Sequence, residues 1–411
     1  MIVKKKEPEP KLTVETATDE ACQPTKNIGL RGVVVADTAI CNVDGQKGVL
    51  TYRGFDIQAL AEHATYEEVV HLLLHGALPT KAELAALKAS LAEERYLPSA
   101  IVDAMRTLPA QTRPMDVLQA MVPMLGAYDP DLADESRAAN GRKALRLIAR
   151  FPLIVSAWYR LRQGLDIVRP SPDLNHAANF LYTMHGVKPD PETARDMDVI
   201  LVVHAEHSFN ASTFACRQVA STQAHIYASI GAALGALSGD LHGGANEEVR
   251  RMFEIIGAKE NARDYVIKTL DAGGKIMGMG HAVYKTVDPR ARFLQPMARR
   301  LAEQTGDFRW FEINEEVAQV TAEEFKRRKN IAIYPNVDFY AATVYSLMGI
   351  PTDLFTPIFA VARVAGYAAH FMEERFAEAQ PKPALYRPGA EYVGRYCGEE
   401  GCEFVPLDER G

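Results

Sequence analysis

The sequence predicts an all-α protein, mainly helical with one small N-terminal β-hairpin. Three observations carry this: capping-box pairs ahead of apolar runs, helical periodicity from Phe55 onward, and no strand–helix alternation of the kind that builds a parallel sheet. The hairpin is predicted over 33–54, VVVADTAICNVDGQKGVLTYRG, where β-branched and polar residues alternate on both sides of Asp44-Gly45. Thr65 with Glu68 caps the helix containing VVHLLLH, and Gly76 sits where that helix stops. Thr80 with Glu83 caps the next, which runs to about Tyr96 before Leu97-Pro98. Further helices are predicted over 99–107, 114–126, 136–164, 173–184, 192–204, 211–237, 244–257, 261–272, 288–304, 313–328, 337–348 and 354–377.

At 411 residues and 47% hydrophobic, the chain can bury a large core and fill two or three domains, or one large domain with a satellite. The net charge of -7 is spread along the chain, which excludes the basic footprint of a nucleic-acid binder. Five cysteines, Cys22, Cys41, Cys216, Cys397 and Cys402, are odd in number and unevenly spaced, so a reducing cytoplasm is expected and no disulfide framework. CGEEGC at 397–402 has no second Cys or His pair nearby and reads as a solvated tail. Residues 1–28 carry charge, proline and threonine without an apolar segment, and read as a flexible leader that is neither signal peptide nor anchor. The uncharged stretch Gln218 to Gly239 nearly matches a bilayer in length, but Ser221, Thr222, Gln223, His225 and Ser229 suit a buried helix at a tight helix–helix or subunit interface better.

Chemistry concentrates in three clusters. In GMGHAVYKTVDPRAR, 278–292, His281 stands between flexible glycines and Arg290 follows nine residues later, a pairing that can meet a small anion. The others are HAEHSFNAS at 204–212 with SGDLHGGANEEV at 238–249, and YPNVDFY at 334–340. His207, His242 and His281 lie in turn-like sequence beside small or polar residues, although each alone reads as readily as a structural histidine. A helix start after His242 would depress its pKa and keep it a neutral donor. Asp338 begins a helix, where N-capping is the plain alternative to catalysis. His204, Glu206 and His207 invite a metal reading, but no HExxH order or third ligand accompanies them, so no metal is expected. Arg363, within the apolar FAVARVAGYAAHF, needs an anionic partner that a substrate carboxylate would supply. GGKIMGMG at 273–280 lacks Walker spacing, yet its N–H groups and Lys275 suit a nucleotide-like ligand.

From about Gly29 to Gly394 these clusters resemble the citrate synthase family: LHGGANEEV, GMGHAVYKTVDPRA and YPNVDFY, with NVDGQKGVLTYRGFDI before them and RPGAEYVG after, stand in its order and spacing. The resemblance implies a two-domain homodimer with a cleft between a large domain, 29–242 and 346–394, and a small domain, 243–345, leaving 395–411 as a tail. It implies condensation of acetyl-CoA with oxaloacetate and water to citrate and CoA, with no permanently bound cofactor and no metal, the CoA thioester being a co-substrate. Carried over, Asp338 is the base, His242 the donor to the thioester oxygen, and His281 the donor to the oxaloacetate ketone. His207, Arg290, Arg363 and Arg387, the last from the partner subunit, bind carboxylates, and Asn210 and Ser212 line the same pocket. Lys275, Ile276, Met277, Gly278, Met279 and Gly280 correspond to the loop that holds CoA. The shorter dimeric type is implied, with no nucleic acid or membrane partner. Three rivals share parts of the pattern: a 2-methylcitrate synthase using propionyl-CoA, a citryl-CoA lyase, and a non-catalytic helical binding protein.

Overall fold

The computed structural model describes residues 28–30, 32–394 and 404–410. The leader over 1–28, except for the backbone of its last residue, and the 395–403 part of the tail with Cys397 and Cys402 lie outside the described residues, as does Cys22. The described residues up to Asp37 belong to a unit of their own, in which a 3-10 turn, Ile28–Leu30, ends with the Leu30 carbonyl accepting the Val33 N–H.

Thr38–Gly411 pack as one compact unit that opens with a three-stranded antiparallel sheet: β1 (Cys41–Asp44), β2 (Val49–Tyr52) and β3 (Phe55–Asp56). Asp44 pairs with Val49, so the turn is a four-residue loop in which the Asp44 carboxylate accepts the Gln46 and Lys47 N–H groups. The strands are shorter than the 33–54 expected, because residues 33–40 form no ladder.

Among the described residues sixteen α-helices follow. They are α1 (Ile57–His63), α2 (Tyr66–His75), α3 (Lys81–Glu94), α4 (Ser99–Arg106), α5 (Pro114–Gly126), α6 (Arg137–Leu161), α7 (His176–His185) and α8 (Pro191–His204). After these come α9 (Ala211–Ser221), α10 (Ile226–Leu237), α11 (Ala245–Ile256), α12 (Ala262–Asp271), α13 (Ala291–Thr305), α14 (Arg309–Lys329), α15 (Val337–Leu347) and α16 (Phe355–Arg375). Both expected capping boxes are complete, and Gly76 ends α2 in the left-handed conformation at φ 81. The helix expected over 211–237 breaks at Thr222, because Gln223 takes φ 67 and His225 caps a new helix through its Nδ1.

Helix α16 is the axis of the core. Every residue from Phe355 to Glu374 is buried, and the helix packs on α2, α6, α8, α9 and α10. Although Thr352–Arg375 is long and apolar enough to cross a membrane, its apolar window is wholly buried, as in a core helix. Helices α11 to α15 pack largely on one another, with α15 held between α11 and α13. The sheet reaches this second group through its turn, where the Gly45 carbonyl accepts the Lys285 N–H at 2.8 Å. A Cβ on Gly45 would lie 2.3 Å from the Val283 carbonyl oxygen, so only glycine allows this approach. Gly45→Ala is therefore expected to lower unfolding free energy by about 1–3 kcal/mol, read as a lower urea midpoint at unchanged slope.

Candidate active site

The ends of five helices and the 278–290 turn surround a cavity of about 570 Å³, lined by His207, Asn210, His242, Gly280, His281, Arg290, Asn336, Asp338, Phe359 and Arg363 among others. His207 and Asn210 come from the α8–α9 link, and His242 from the α10–α11 link. His281 and Arg290 bracket the turn before α13, Asp338 stands in the first turn of α15, and Arg363 projects from mid-α16.

Backbone hydrogen bonds hold the 278–280 turn to the segment before α15. Gly280 N–H donates to Tyr334 O at 2.8 Å, Asn336 N–H to Gly278 O at 2.9 Å, and Asn336 Nδ2 to Gly280 O at 2.9 Å. Gly278 has φ 75, and a Cβ there would stand 2.7 Å from Val249 and 2.8 Å from Phe339, which explains the glycine. Asn336 caps α15 by accepting the Asp338 N–H at 3.0 Å. Asp338 is thus inside the helix, and the alternative of an N-cap role does not apply.

The half-buried Asp338 lines the cavity, and its carboxylate has no hydrogen-bond partner among the described residues. Burial raises its pKa to about 6, against the opposing pull of Arg290. Arg290 is buried and receives its counter-charge from Asp288, whose carboxylate takes Nε at 3.0 Å and Nη2 at 2.8 Å. Burial would raise the Asp288 pKa, but the Arg290 charge and its hydrogen bonds outweigh it and the carboxyl sits below the ordinary value. Arg363 lines this cavity and donates Nε to the His204 carbonyl at 2.7 Å, while its Nη2 is enclosed with no hydrogen-bond partner among the described residues. A buried guanidinium held by the protein only through a carbonyl is suited to a carboxylate ligand.

The histidines are neutral. Burial and Arg363 lower His242 to about 4, and burial and Arg290 lower His281 to about 4. His207 lies well below its ordinary value through burial, Arg290 and Arg363. The expected helix start does follow His242, at Ala245, but burial comes first among the causes of its shift. Tautomers follow from backbone donors, which cannot accept. Val283 and Tyr284 N–H point to His281 Nδ1 at 3.0 and 3.2 Å, two donors nearer than Arg290 Nη2 at 3.5 Å from Nε2, which assigns the His281 proton to Nε2. Ser212 N–H points to His242 Nε2 at 3.3 Å, which favours the His242 proton on Nδ1. Both rings therefore offer one donor each, from opposite nitrogens.

A second cavity of about 680 Å³ shares Leu241, Ala282 and Asn336 with the first and is lined by Lys275, Ile276, Met277, Gly278 and Met279, together with Arg328 and Lys329. Gly280 belongs to the first cavity. Ser212 is buried behind His242 and does not line the cavity, and Arg387 is exposed on the segment after α16 and joins neither cavity of its own chain. Among the described residues no group of three or more His, Cys, Asp and Glu can hold a metal ion. His204 Nδ1 instead bonds Ile200 O, and Glu206 bonds His370. Sequence reasoning missed Asp288, Tyr284, whose hydroxyl lies 3.1 Å from His207 Nε2, and Phe359. Asp288 carried a usable signal, an opposite charge two residues from Arg290, whereas Tyr284 carried none.

The family model described as citrate synthase, C-terminal domain, matches residues 29–389. A citrate synthase of Haloferax volcanii is 43% identical, covering 93% of this chain and 98% of its own. A 2-methylcitrate synthase of Shewanella oneidensis is 40% identical, covering 89% and 94%. The solved ternary complex of Thermoplasma acidophilum citrate synthase with carboxymethyl coenzyme A and oxaloacetate superimposes with a TM-score of 0.86 at 31% identity, covering 94% of this chain and all of that one. Fold and matches together define an enzyme, an acyltransferase that forms a carbon–carbon bond. The chain belongs to the citrate synthase family.

The neutral histidines set an acid limit to stability. His242 and His281 bind protons near pH 4 when folded, and His176 and His204 near pH 3, but all near 6.5 when unfolded. Their contribution is present above pH 6.5 and is lost as the pH falls toward 4. Asp338 and Asp198, raised to about 6, oppose this over the same range but are fewer. The urea midpoint is expected to fall from pH 6.5 to 4, and an unchanged midpoint would contradict the buried neutral histidines.

Proposed function

We propose that the first cavity binds oxaloacetate and that the second leads CoA to it. The reaction is the condensation of acetyl-CoA with oxaloacetate and water to give citrate and CoA. What carries this reading is one juxtaposition: a carboxylate without hydrogen bonds, raised to about 6, beside two neutral imidazole donors and two buried guanidinium groups. Asp338 removes a methyl proton from acetyl-CoA while His242 Nδ1–H donates to the thioester oxygen, where negative charge develops. The enol carbon attacks the oxaloacetate ketone, and His281 Nε2–H gives its proton to the ketone oxygen. Water then hydrolyses citryl-CoA. Neutral donors suit the task, because each hydrogen bond strengthens as charge develops on the oxygen it serves.

Arg290, Arg363 and His207 hold the oxaloacetate carboxylates, with Asn210 beside them and Ser212 behind His242. Arg363 lines the cavity with only a backbone carbonyl on its Nε, which supports the second of these contacts. Lys275 and the 276–280 backbone hold CoA, supported by the continuity of the two cavities at Leu241, Ala282 and Asn336. Residues 29–242 with 346–394, and 243–345, form the large and small domains, whose closure after oxaloacetate binds excludes water. A homodimer brings Arg387 from the partner subunit, a reading supported by the exposure of Arg387 in its own chain. A cytoplasmic location is in keeping with the unpaired, buried Cys41 and Cys216.

Asp338→Asn is expected to lose several orders of magnitude in kcat while still binding oxaloacetate. In the unaltered enzyme kcat/KM rises with pH through about 6, as the base deprotonates. Arg387→Ala is expected to be nearly inactive, and co-expression with Asp338→Asn to restore activity, since one mixed dimer site is then intact. Full activity of Asp338→Asn would remove the assigned base, and a fully active monomer by light scattering would remove the shared site.

The 2-methylcitrate synthase reading is supported by a relative of that name at 40% identity, beside citrate synthases at 40% and 43%. One methylene in an acyl pocket is worth about 1–3 kcal/mol. The expected result is a kcat/KM for acetyl-CoA at least about tenfold above that for propionyl-CoA, and the reverse order would transfer the assignment to the rival.

A further inference from the structure

We propose that Tyr367 is a positioning residue for the reaction: acting through Ser212, it holds His242 in the tautomer that turns an N–H into the cavity. This rests on the reading of His242 as donor to the thioester oxygen. Tyr367 follows Arg363 by four residues on α16, so the two side chains leave the helix on one face. Arg363 reaches the cavity. Tyr367 is fully buried, does not line the cavity, and donates its hydroxyl to Ser212 Oγ at 2.7 Å.

Ser212 Oγ in turn lies 2.7 Å from His242 Nε2 and 2.8 Å from Asn210 Oδ1. A serine hydroxyl has one proton and two lone pairs, so these three neighbours contend for three directions. Asn210 cannot flip its amide to relieve the contention. Its Oδ1 accepts the Thr213 N–H at 3.0 Å, and its Nδ2 donates to Thr213 Oγ1 at 2.9 Å and Ser208 O at 3.2 Å. The Ser212 hydroxyl proton therefore has two acceptors to choose from, Nε2 and Oδ1. Turned to Nε2, it joins the Ser212 N–H in keeping that nitrogen an acceptor and the His242 proton on Nδ1. Turned to Asn210, it offers a lone pair to a protonated Nε2, and His242 then presents a lone pair to the cavity where the reaction needs a donor.

Donation from Tyr367 narrows this choice. It occupies one lone pair of Ser212 Oγ and keeps the Ser212 proton from turning to the phenol, an arrangement that would leave only a lone pair facing Nε2. Burial keeps the phenol pKa above its ordinary value, so Tyr367 stays protonated and remains the donor. Cys216 and the α16 backbone fix the other end of the relay, with Cys216 Sγ on the Tyr367 carbonyl at 3.7 Å.

The test is a double-mutant cycle of Tyr367→Phe and Ser212→Ala in the full-length enzyme, read by kcat, KM and the 15N resonances of His242. The expected result for Tyr367→Phe is a fall in kcat of about tenfold with KM for oxaloacetate unchanged. The 15N signals should move from Nδ1-protonated toward a mixture, and no further loss should occur in the Ser212→Ala background. Equal losses in both backgrounds, or a change in KM alone, would overturn the proposal. So would an Nε2-protonated His242 in the unaltered protein, a measurement that stands even where Tyr367→Phe fails to fold. If His242→Ala keeps full kcat, the donor role of His242 fails by itself, while the 15N spectra still decide whether Tyr367 sets the tautomer.

Discussion

The ion pair between Asp288 and Arg290 governs the rest of the site. A guanidinium with almost no solvent exposure is tolerable only with a counter-charge, and Asp288 supplies it through Nε and Nη2. The same carboxylate accepts the Val337 N–H at 3.2 Å, so the pair also ties the 278–290 turn to the start of α15. One interaction thus fixes His281, Arg290 and Asp338 relative to one another. The charge it permits is felt beyond the pair: Arg290 contributes to the depressed pKa of His207 and His281 and restrains the rise of Asp338. Without a cation so close, burial alone would drive the Asp338 carboxyl further up and leave less of it ionised near neutrality.

Arg363 divides its charge differently. Its Nε is spent on the His204 carbonyl, and its guanidinium stands 4.6 Å from the Phe359 ring. One arginine is therefore held by a carboxylate and the other by a carbonyl and an aromatic face. In the proposed complex the pair carries close to one net positive charge from Arg363 toward a dianion, with the remainder supplied by hydrogen-bond donors. A fully neutralised pair would bind such a ligand weakly, and a fully uncompensated pair would be costly to bury.

Much of this was legible in the chain. Caps announce themselves locally, since Thr65 with Glu68 and Thr80 with Glu83 need only a four-residue window. Arg363 stood out because a charge in an apolar helix demands a partner, and the glycines around His281 because close approach demands them. Tyr367 gave no such sign: a tyrosine in an apolar helix reads as core, and its partner Ser212 is 155 residues away. The break after α9 was missed for a related reason, as a left-handed glutamine has no signature comparable to glycine. The sheet turn was seen, but not its docking against Val283, which depends on the tertiary path of a segment more than two hundred residues on.

The two proposed catalytic histidines are set by opposite means to the same end. His281 receives two backbone N–H groups on Nδ1 from its own turn, so its tautomer is built into the local chain and needs no side-chain support. His242 receives one backbone N–H at 3.3 Å and leans on a hydroxyl that has another acceptor within reach. A single long hydrogen bond is weak, about 1 kcal/mol at most, and leaves the two tautomers close in energy. A relay from a buried phenol is the kind of support such a site requires. The proposed donor to the thioester then depends on residues of α9 and α16, elements that sit in the core.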